Sequence, residues 1–363
     1  MAAWSDRVKK ILVTGVGGGV GQSVLKALSR TPYGVVATDA EALAAGLHAA
    51  HKAYWGRYAS DSRFTDRLLE ICLAEQCGLI FAGHDVELLP LSENVDTFRA
   101  HGIVPVVSTP DIIRLCDDKL VTTQFVNSLG LPTPETKKLS DVTTFERPVV
   151  LKPQRGGARS RGTYVARTEK AFDLYRQLVD PHNCVAQEYI EGDEYTCGSV
   201  ALDGKCVGVI VMRRILRDGD TYKAFVEHNP TLEATVRTIV EALKPFGACN
   251  IQLRVKDGRP YVFEINARCS GTTAARALAG FNEPQIIADY LLRGIEPSYS
   301  VDEVNRPEFD AHLLSREGCS HHAEEVRRGV QGPGGAVGQR PCRGVRHPYG
   351  LPDRGRQAFG GVV

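Results

Sequence analysis

The chain has 363 residues, 43% of them hydrophobic and 24% charged, a globular profile long enough for two or three domains. Its 44 basic and 43 acidic residues leave a net charge of +1, which gives nucleic acid or an anionic membrane surface no claim as main partner. No apolar run approaches the roughly 18 residues of a membrane-spanning helix, and MAAWSDRVKK enters a strand without a signal segment, so the chain reads as soluble and cytoplasmic.

The first 110 residues alternate strands and helices. A buried strand over Lys10–Thr14 meets a glycine-rich turn, then a helix over Ser23–Arg30 with Val24, Leu25 and Leu28 on one face. Strands follow over Gly34–Thr38, Gly78–Ala82 and Ile103–Val107, with helices over Thr65–Gln76 and Val86–His101. Such alternation predicts a parallel sheet with helices on its faces.

From Asp111 to Gly130 the pattern is helical, and Leu131-Pro132-Thr133-Pro134 then forces an extended stretch. Strands are predicted over Pro148–Pro153, Thr163–Arg167, Cys184–Tyr189, Glu194–Leu202 and Lys205–Arg214, the last two turning at Asp203-Gly204. A second hairpin joins Ala248–Val255 to Pro260–Ile265, and helices cover Lys170–Leu178, Leu232–Leu243, Ala274–Leu278 and Pro284–Leu292. Hairpins interleaved with helices read as α+β.

After Pro307 the periodicity disappears, and arginine, glycine and proline dominate. Residues 307–363 are expected to be disordered or aberrant. A basic tail for an anionic partner, a tail under little folding constraint and a shifted reading frame in a GC-rich gene each account for the bias. The 10 cysteines contain no C-x-x-C pair, so they read as reduced and mostly buried rather than as a disulfide or metal framework.

Several segments carry chemistry. Gly15-Val16-Gly17-Gly18-Gly19-Val20-Gly21 opens a helix after a strand, and Asp39 ends the next strand. This is near a dinucleotide fingerprint, and it equally describes a turn that lets strand and helix pack closely. His84-Asp85-Val86-Glu87 follows the third strand, where such sheets form a ligand crevice.

Glu264 and Asn266 are two apart on a strand and face the same way, with Gln252 on the preceding strand of the same hairpin. Three oxygen donors of this kind suit Mg²⁺ or Mn²⁺ bridging nucleotide phosphates. Arg268 is within reach of a phosphate. Lys152 ends the apolar VVLKP strand as a phosphate partner, and Arg155-Gly156-Gly157-Ala158-Arg159-Ser160-Arg161-Gly162 looks like a lid that closes over phosphates and excludes water. Gln187 to Glu194 joins two strands, with backbone groups available to an adenine edge and Glu194 to ribose hydroxyls.

In this order, from about Asp118 to Gly280, the residues resemble the ATP-grasp superfamily, and CNIQLRV with YVFEINAR is most similar to the synthetase half of the carbamoyl-phosphate synthetase large subunit and its stand-alone relatives. The resemblance implies a Rossmann-like pre-ATP-grasp domain over 1–110 and a two-lobed ATP-grasp domain over 111–306. By that resemblance Gln252, Glu264 and Asn266 hold magnesium, and Lys119 and Lys152 are the nucleotide lysines. Gly156 and Gly157 belong to the lid, Glu188 and Ile190 to the adenine hinge, and Glu194 faces the ribose. Arg268, with Lys152, stabilises the transferred phosphoryl group. Ala267 replaces a common proline, and neither a second synthetase half nor a glutamine amidotransferase domain is present.

The implied activity is an ATP-dependent ligase that activates a small carboxylate as an acyl phosphate and joins it to an amine, using ATP and Mg²⁺ or Mn²⁺. The alternatives are phosphorylation of a carboxylate or bicarbonate without an amine, and a non-catalytic ATP-binding protein. Arg213, Arg214, Lys223 and Arg276 are candidates for gripping a substrate carboxylate. Many relatives are dimers, so a homodimer is consistent with the resemblance.

Overall fold

In the computed structural model, residues 8–157 and 162–297 are described. Three sheets organise them.

The first grows from the apolar strand β1 (Lys10–Val13), which runs into helix α1 (Gly19–Leu28) and strand β2 (Gly34–Asp39). A short 3-10 turn leads to β3 (Lys52–Trp55), followed by α2 (Phe64–Glu75) and β4 (Cys77–Phe81). Helices α3 (Asp85–Glu93) and α4 (Val95–Ala100) then return the chain to β5 (Val104–Pro105). The sheet is parallel, in the order β3-β2-β1-β4-β5, and is wrapped by Phe64, Leu68, Ile71, Leu88, Leu91 and Phe98. Strand β3 escapes the sequence pattern because it is an edge strand whose residues are mostly exposed. The single helix expected over Val86–His101 breaks at Asn94, whose side-chain amide donates to the Pro90 carbonyl at 2.9 Å and competes with the helical ladder.

Helices α5 (Pro110–Asp117) and α6 (Lys119–Ser128) lead into the small sheet of β6 (Thr136–Lys138), β7 (Val149–Pro153), β8 (Tyr164–Ala166) and β9 (Cys184–Glu188), with α7 (Glu169–Leu178) on one face. Its order is β6-β9-β7-β8, and Leu139, Leu151, Ala166, Phe172 and Ala186 form its core.

The large sheet contains β10 (Asp193–Leu202), β11 (Lys205–Arg217), β12 (Asp220–Val226), β13 (Gly247–Lys256) and β14 (Arg259–Asn266), with α8 (Pro230–Leu243) inserted between β12 and β13. It is antiparallel, in the order β12-β11-β10-β13-β14. One face packs Tyr195, Cys197, Val209, Val211, Ile251 and Leu253 against Leu232, Val236, Ile239 and Val240 of α8. The alternate residues point the other way, and that face is polar around Glu194, Thr196, Gln252 and Arg254 and apolar around Val200, Ile210 and Ala248.

Helices α9 (Thr273–Leu278) and α10 (Glu283–Arg293) fold back onto α1. Ser23 Oγ donates to the Gly271 carbonyl at 3.0 Å and accepts from the Ala274 N–H at 2.7 Å, and Tyr33 donates to Asp289 at 2.6 Å. The eight described cysteines are free thiols, seven of them buried. The expectations for residues 307–363 lie outside the described residues.

Candidate active site

The glycine-rich turn serves close packing. A Cβ on Gly21 would stand 2.4 Å from the Gly15 carbonyl oxygen, and one on Gly83 would stand 2.0 Å from that of Thr14. Asp39, the acid a dinucleotide ribose would need, accepts from Gly17 N–H at 2.7 Å and Glu41 N–H at 2.8 Å. Glu87 is buried against the same turn, accepting from the Thr14 hydroxyl at 2.6 Å and from the Gly83 and His84 N–H groups at 3.1 Å each. Burial dominates over these bonds and pushes its carboxyl up to about 7.

The polar face of the large sheet gathers five of the candidate residues, Arg214, Glu194, Gln252, Glu264 and Asn266, because β-pairing puts facing residues on the same side. In one row Arg214, Glu194 and Arg254 stand opposite one another on β11, β10 and β13. In the next stand Thr196, Gln252 and Glu264, and beyond them Gly198, Asn250 and Asn266. A bulge after Gln252 skips Phe263 in the pairing.

The contacts bind these rows into one network. Arg214 forks onto Glu194 Oε1 at 2.6 and 3.0 Å and also reaches Gln252 Oε1 at 2.7 Å. Asn266 Nδ2 donates to Glu264 Oε1 at 2.9 Å. Arg268 grips both oxygens of Asp85, at 2.7 and 3.0 Å, and donates to Asn266 Oδ1 at 3.2 Å. That pair spans 183 positions and ties the β4–α3 turn to the end of β14.

Lys152 reaches the same place from the small sheet. It pairs with Val185 and lies on the face opposite Leu151 and Ala186, away from the α7 core. Its ammonium stands 5.5 Å from the Phe263 ring centroid. Burial pushes it down to about 8, with Lys119 adding to the shift while Glu264 and Glu194 oppose it. Burial likewise works to raise Glu264, but Lys152, Lys119, the Asn266 bond and Arg268 outweigh it and hold the carboxyl below its ordinary value. This mutual influence places Lys119, Lys152, Glu194, Glu264 and Arg268 in one electrostatic neighbourhood.

Lys119 begins α6, whose N-cap Asp118 accepts from the Leu120 and Val121 N–H groups at 3.0 and 3.3 Å. Its ammonium donates to the Gly156 carbonyl at 2.6 Å, and Gly156 N–H returns to Asp117 at 2.8 Å. Gly156 and Gly157 hold left-handed φ of 64° and 84°, which glycine takes without strain. The rest of the expected lid, residues 158–161, lies outside the described residues.

The other candidates divide. Ile190 is buried, and Glu188 turns its side chain to the α7 face, where Oε2 accepts from the Glu135 N–H at 3.2 Å. The Glu188 side chain is therefore on the face of the small sheet opposite Lys152. Three substrate candidates need correction. Lys223 pairs with Ile215, in register with Arg213 and Tyr195 on the α8 face, so it stands on the wrong side of the sheet. Arg213 shares that face and pairs with Glu227 at 2.5 Å.

Arg276 is fully buried, with its guanidinium held by Glu283 at 2.7 Å, Asn250 at 2.5 Å and Thr196 at 3.1 Å. It supports the polar face from within and has no open side for a substrate. Sequence reasoning missed Arg254 altogether. It missed the pairing of Asp85 with Arg268 as well, although it singled out the Asp85 cluster. No local signal joins residues 183 positions apart.

Within the chain, residues 11–107 match the family model "PylC-like, N-terminal domain" and residues 180–312 match "ATP-grasp in the biosynthetic pathway with Ter operon". The chain is thus similar to ATP-grasp proteins over its second segment. The chain is 28% identical over 175 residues to D-alanine–D-alanine ligase A of Bacillus cereus, covering 42% of itself and 57% of that ligase. It is 26% identical over 238 residues to the carbamoyl phosphate synthase large chain of Thermotoga petrophila, covering 54% of itself and 21% of that chain. It thus spans well under two thirds of either relative. The crystal structure of N5-carboxyaminoimidazole synthetase from Staphylococcus aureus complexed with ADP has the same fold, with a TM-score of 0.61 at 18% identity and 78% of each chain covered. The expected architecture, an α/β Rossmann-like sheet followed by the two-lobed ATP-grasp fold, is the one observed. Among the described residues, no helix is long and apolar enough to cross a membrane.

Proposed function

We propose that this protein is an ATP-dependent carboxylate–amine ligase. Its first 110 residues would form the acceptor side, and residues 111–306 would form the nucleotide-binding unit. One observation carries the reading. Lys119 and Lys152 converge from the helix and small sheet on the face where Gln252, Glu264, Asn266 and Arg268 stand together.

The donor set suits a hard divalent cation. Gln252 and Asn266 offer amide oxygens and Glu264 a single carboxylate, so nucleotide phosphates complete the charge balance that Mg²⁺ or Mn²⁺ prefers. When bound, such a cation neutralises charge on the phosphates. The chain's own residues supply the rest. Lys119 and Lys152 hold the phosphates, and Gly156 and Gly157 let the following loop approach them. The backbone at Glu188 and Ile190 faces the adenine, and Glu194 lies toward the ribose.

Arg268 sits where the γ-phosphoryl group moves. A substrate carboxylate oxygen attacks γ-phosphorus, the bond to the β-bridging oxygen breaks, and ADP leaves. Arg268 and Lys152 offset the charge on the three equatorial oxygens. The amine nitrogen then attacks the acyl carbon, phosphate departs with the former carboxylate oxygen, and the amine's proton passes to solvent. Of the candidates for the substrate carboxylate, Arg214 is the one that remains on the polar face. Small-molecule substrates, a cytoplasmic location and a homodimer belong to the same reading.

The test is release of ADP and phosphate across a panel of amino acids and amines. Turnover that requires both an acid and an amine supports the ligase. Acid-dependent turnover without amine replaces it by the phosphorylating alternative, and Mg·ATP binding without any turnover replaces it by a binding protein. Asn266→Ala abolishes turnover if the cation set is right; an undiminished rate removes Asn266 from it.

A further inference from the structure

Arg254 is assigned no role by the sequence, yet its guanidinium has three partners in the segment that leads from the expected adenine hinge to Glu194. Nη2 donates to Glu194 Oε2 at 2.5 Å, while Nη1 donates to the Ile190 carbonyl and to the Tyr189 hydroxyl, each at 3.2 Å. The guanidinium also lies 5.0 Å from the Tyr189 ring centroid, and Arg167 stands 4.3 Å from the same ring. The intervening turn is fixed against β13 as well. Gly192 has φ of 127°, and a Cβ there would stand 2.0 Å from the Val255 carbonyl oxygen.

We infer that Arg254 is a positioning residue that locks the adenine-reading backbone and the ribose acid into one rigid unit, and so sets the preference for an adenine nucleotide. The physical basis is the planar fork of arginine, which engages several acceptors in fixed directions where an ammonium offers a point charge. Glu194 is buried between two arginines, Arg214 on Oε1 and Arg254 on Oε2, so neither oxygen swings freely. Ile190 is buried too, and its carbonyl is held by the same guanidinium that holds Glu194. Adenine and ribose contacts are then preorganised together, and binding spends little free energy ordering the hinge. Lysine at 254 keeps the charge beside Glu194 but cannot hold Glu194, Ile190 and Tyr189 at once.

The inference rests on the proposed nucleotide site, and calorimetric titration of the full chain with Mg·ADP and with Mg·GDP tests the two separately. Arg254→Ala is expected to weaken Mg·ADP at least tenfold and to narrow the ADP-to-GDP affinity ratio at least fivefold. Arg254→Lys should recover part of the affinity and little of the ratio. Thermal melting of both variants controls for folding, because a general loss of structure weakens both nucleotides alike and leaves the ratio unchanged. An unchanged ratio in a folded Arg254→Ala protein overturns the inference alone. Failure of the wild-type chain to bind Mg·ADP overturns the site reading beneath it.

Discussion

Replacing Glu283 by alanine removes the partner of the most deeply buried charge among the described residues. Arg276 and Glu283 are 0% and 1% exposed, and they meet at 2.7 Å behind Gly198, whose missing Cβ makes room for both. The arginine retains bonds to Asn250 and Thr196 in the variant but has no counter-charge, and its Nε lacks a partner already. Breaking one side of a buried pair costs about 3–5 kcal/mol, because the remaining charge stays desolvated. At about 2–3 °C per kcal/mol for a chain of this size, the midpoint should fall by roughly 6–15 °C. Differential scanning calorimetry of Glu283→Ala measures it. The companion variant Arg276→Met with Glu283→Leu removes both charges and should recover most of the loss. A midpoint within about 2 °C of wild type for Glu283→Ala would refute the reasoning, as would a double variant no better than the single.

Two further outcomes follow from the site. Lys152 titrates at about 8 in the protein, so it loses its charge above that pH. Mg·ADP affinity should fall as pH rises from 8 to 9.5, by up to about tenfold per unit. Lys152→Arg should flatten the decline, and a wild-type affinity constant across that range removes Lys152 from the phosphate contacts. Asp85 holds Arg268 bidentately, and Asp85→Ala should lower kcat by roughly 10–100-fold by misplacing the guanidinium, since small displacements of a positioning group carry costs of that order. Mg·ADP affinity should stay within about threefold. Asp85→Glu should restore part of the rate, and an Asp85→Ala enzyme with wild-type kcat would show that Arg268 finds its place unaided.

Much of the fold is readable along the chain, because hydrophobic periodicity records which face of an element is buried. The strand at Lys10–Val13 and the helix at Leu232–Leu243 follow this rule, and the Lys256-Asp257-Gly258 turn marks its hairpin. The elements that escaped, β3 and β6, are at sheet edges and largely exposed, so burial imposes little pattern on them.

The candidate site divides the same way. The sequence alone determines that Glu264 and Asn266 share a face, because strand geometry alternates; the bulge that skips Phe263 is what brings Gln252 onto that face. Pairing across the whole sheet decides the basic residues instead. Arg214 and Lys223 are close in sequence, yet the Ile215–Lys223 register turns one toward the polar face and the other toward α8. Arg276 has the residue type of a substrate ligand, and only the packing of α9 and α10 behind Gly198 makes it a buried structural charge. The Asp85–Arg268 pair requires two distant segments to meet. Local patterns specify which elements form and which way their residues alternate. Which surfaces meet, and therefore which charges are paired, is decided by long-range packing that no local pattern encodes.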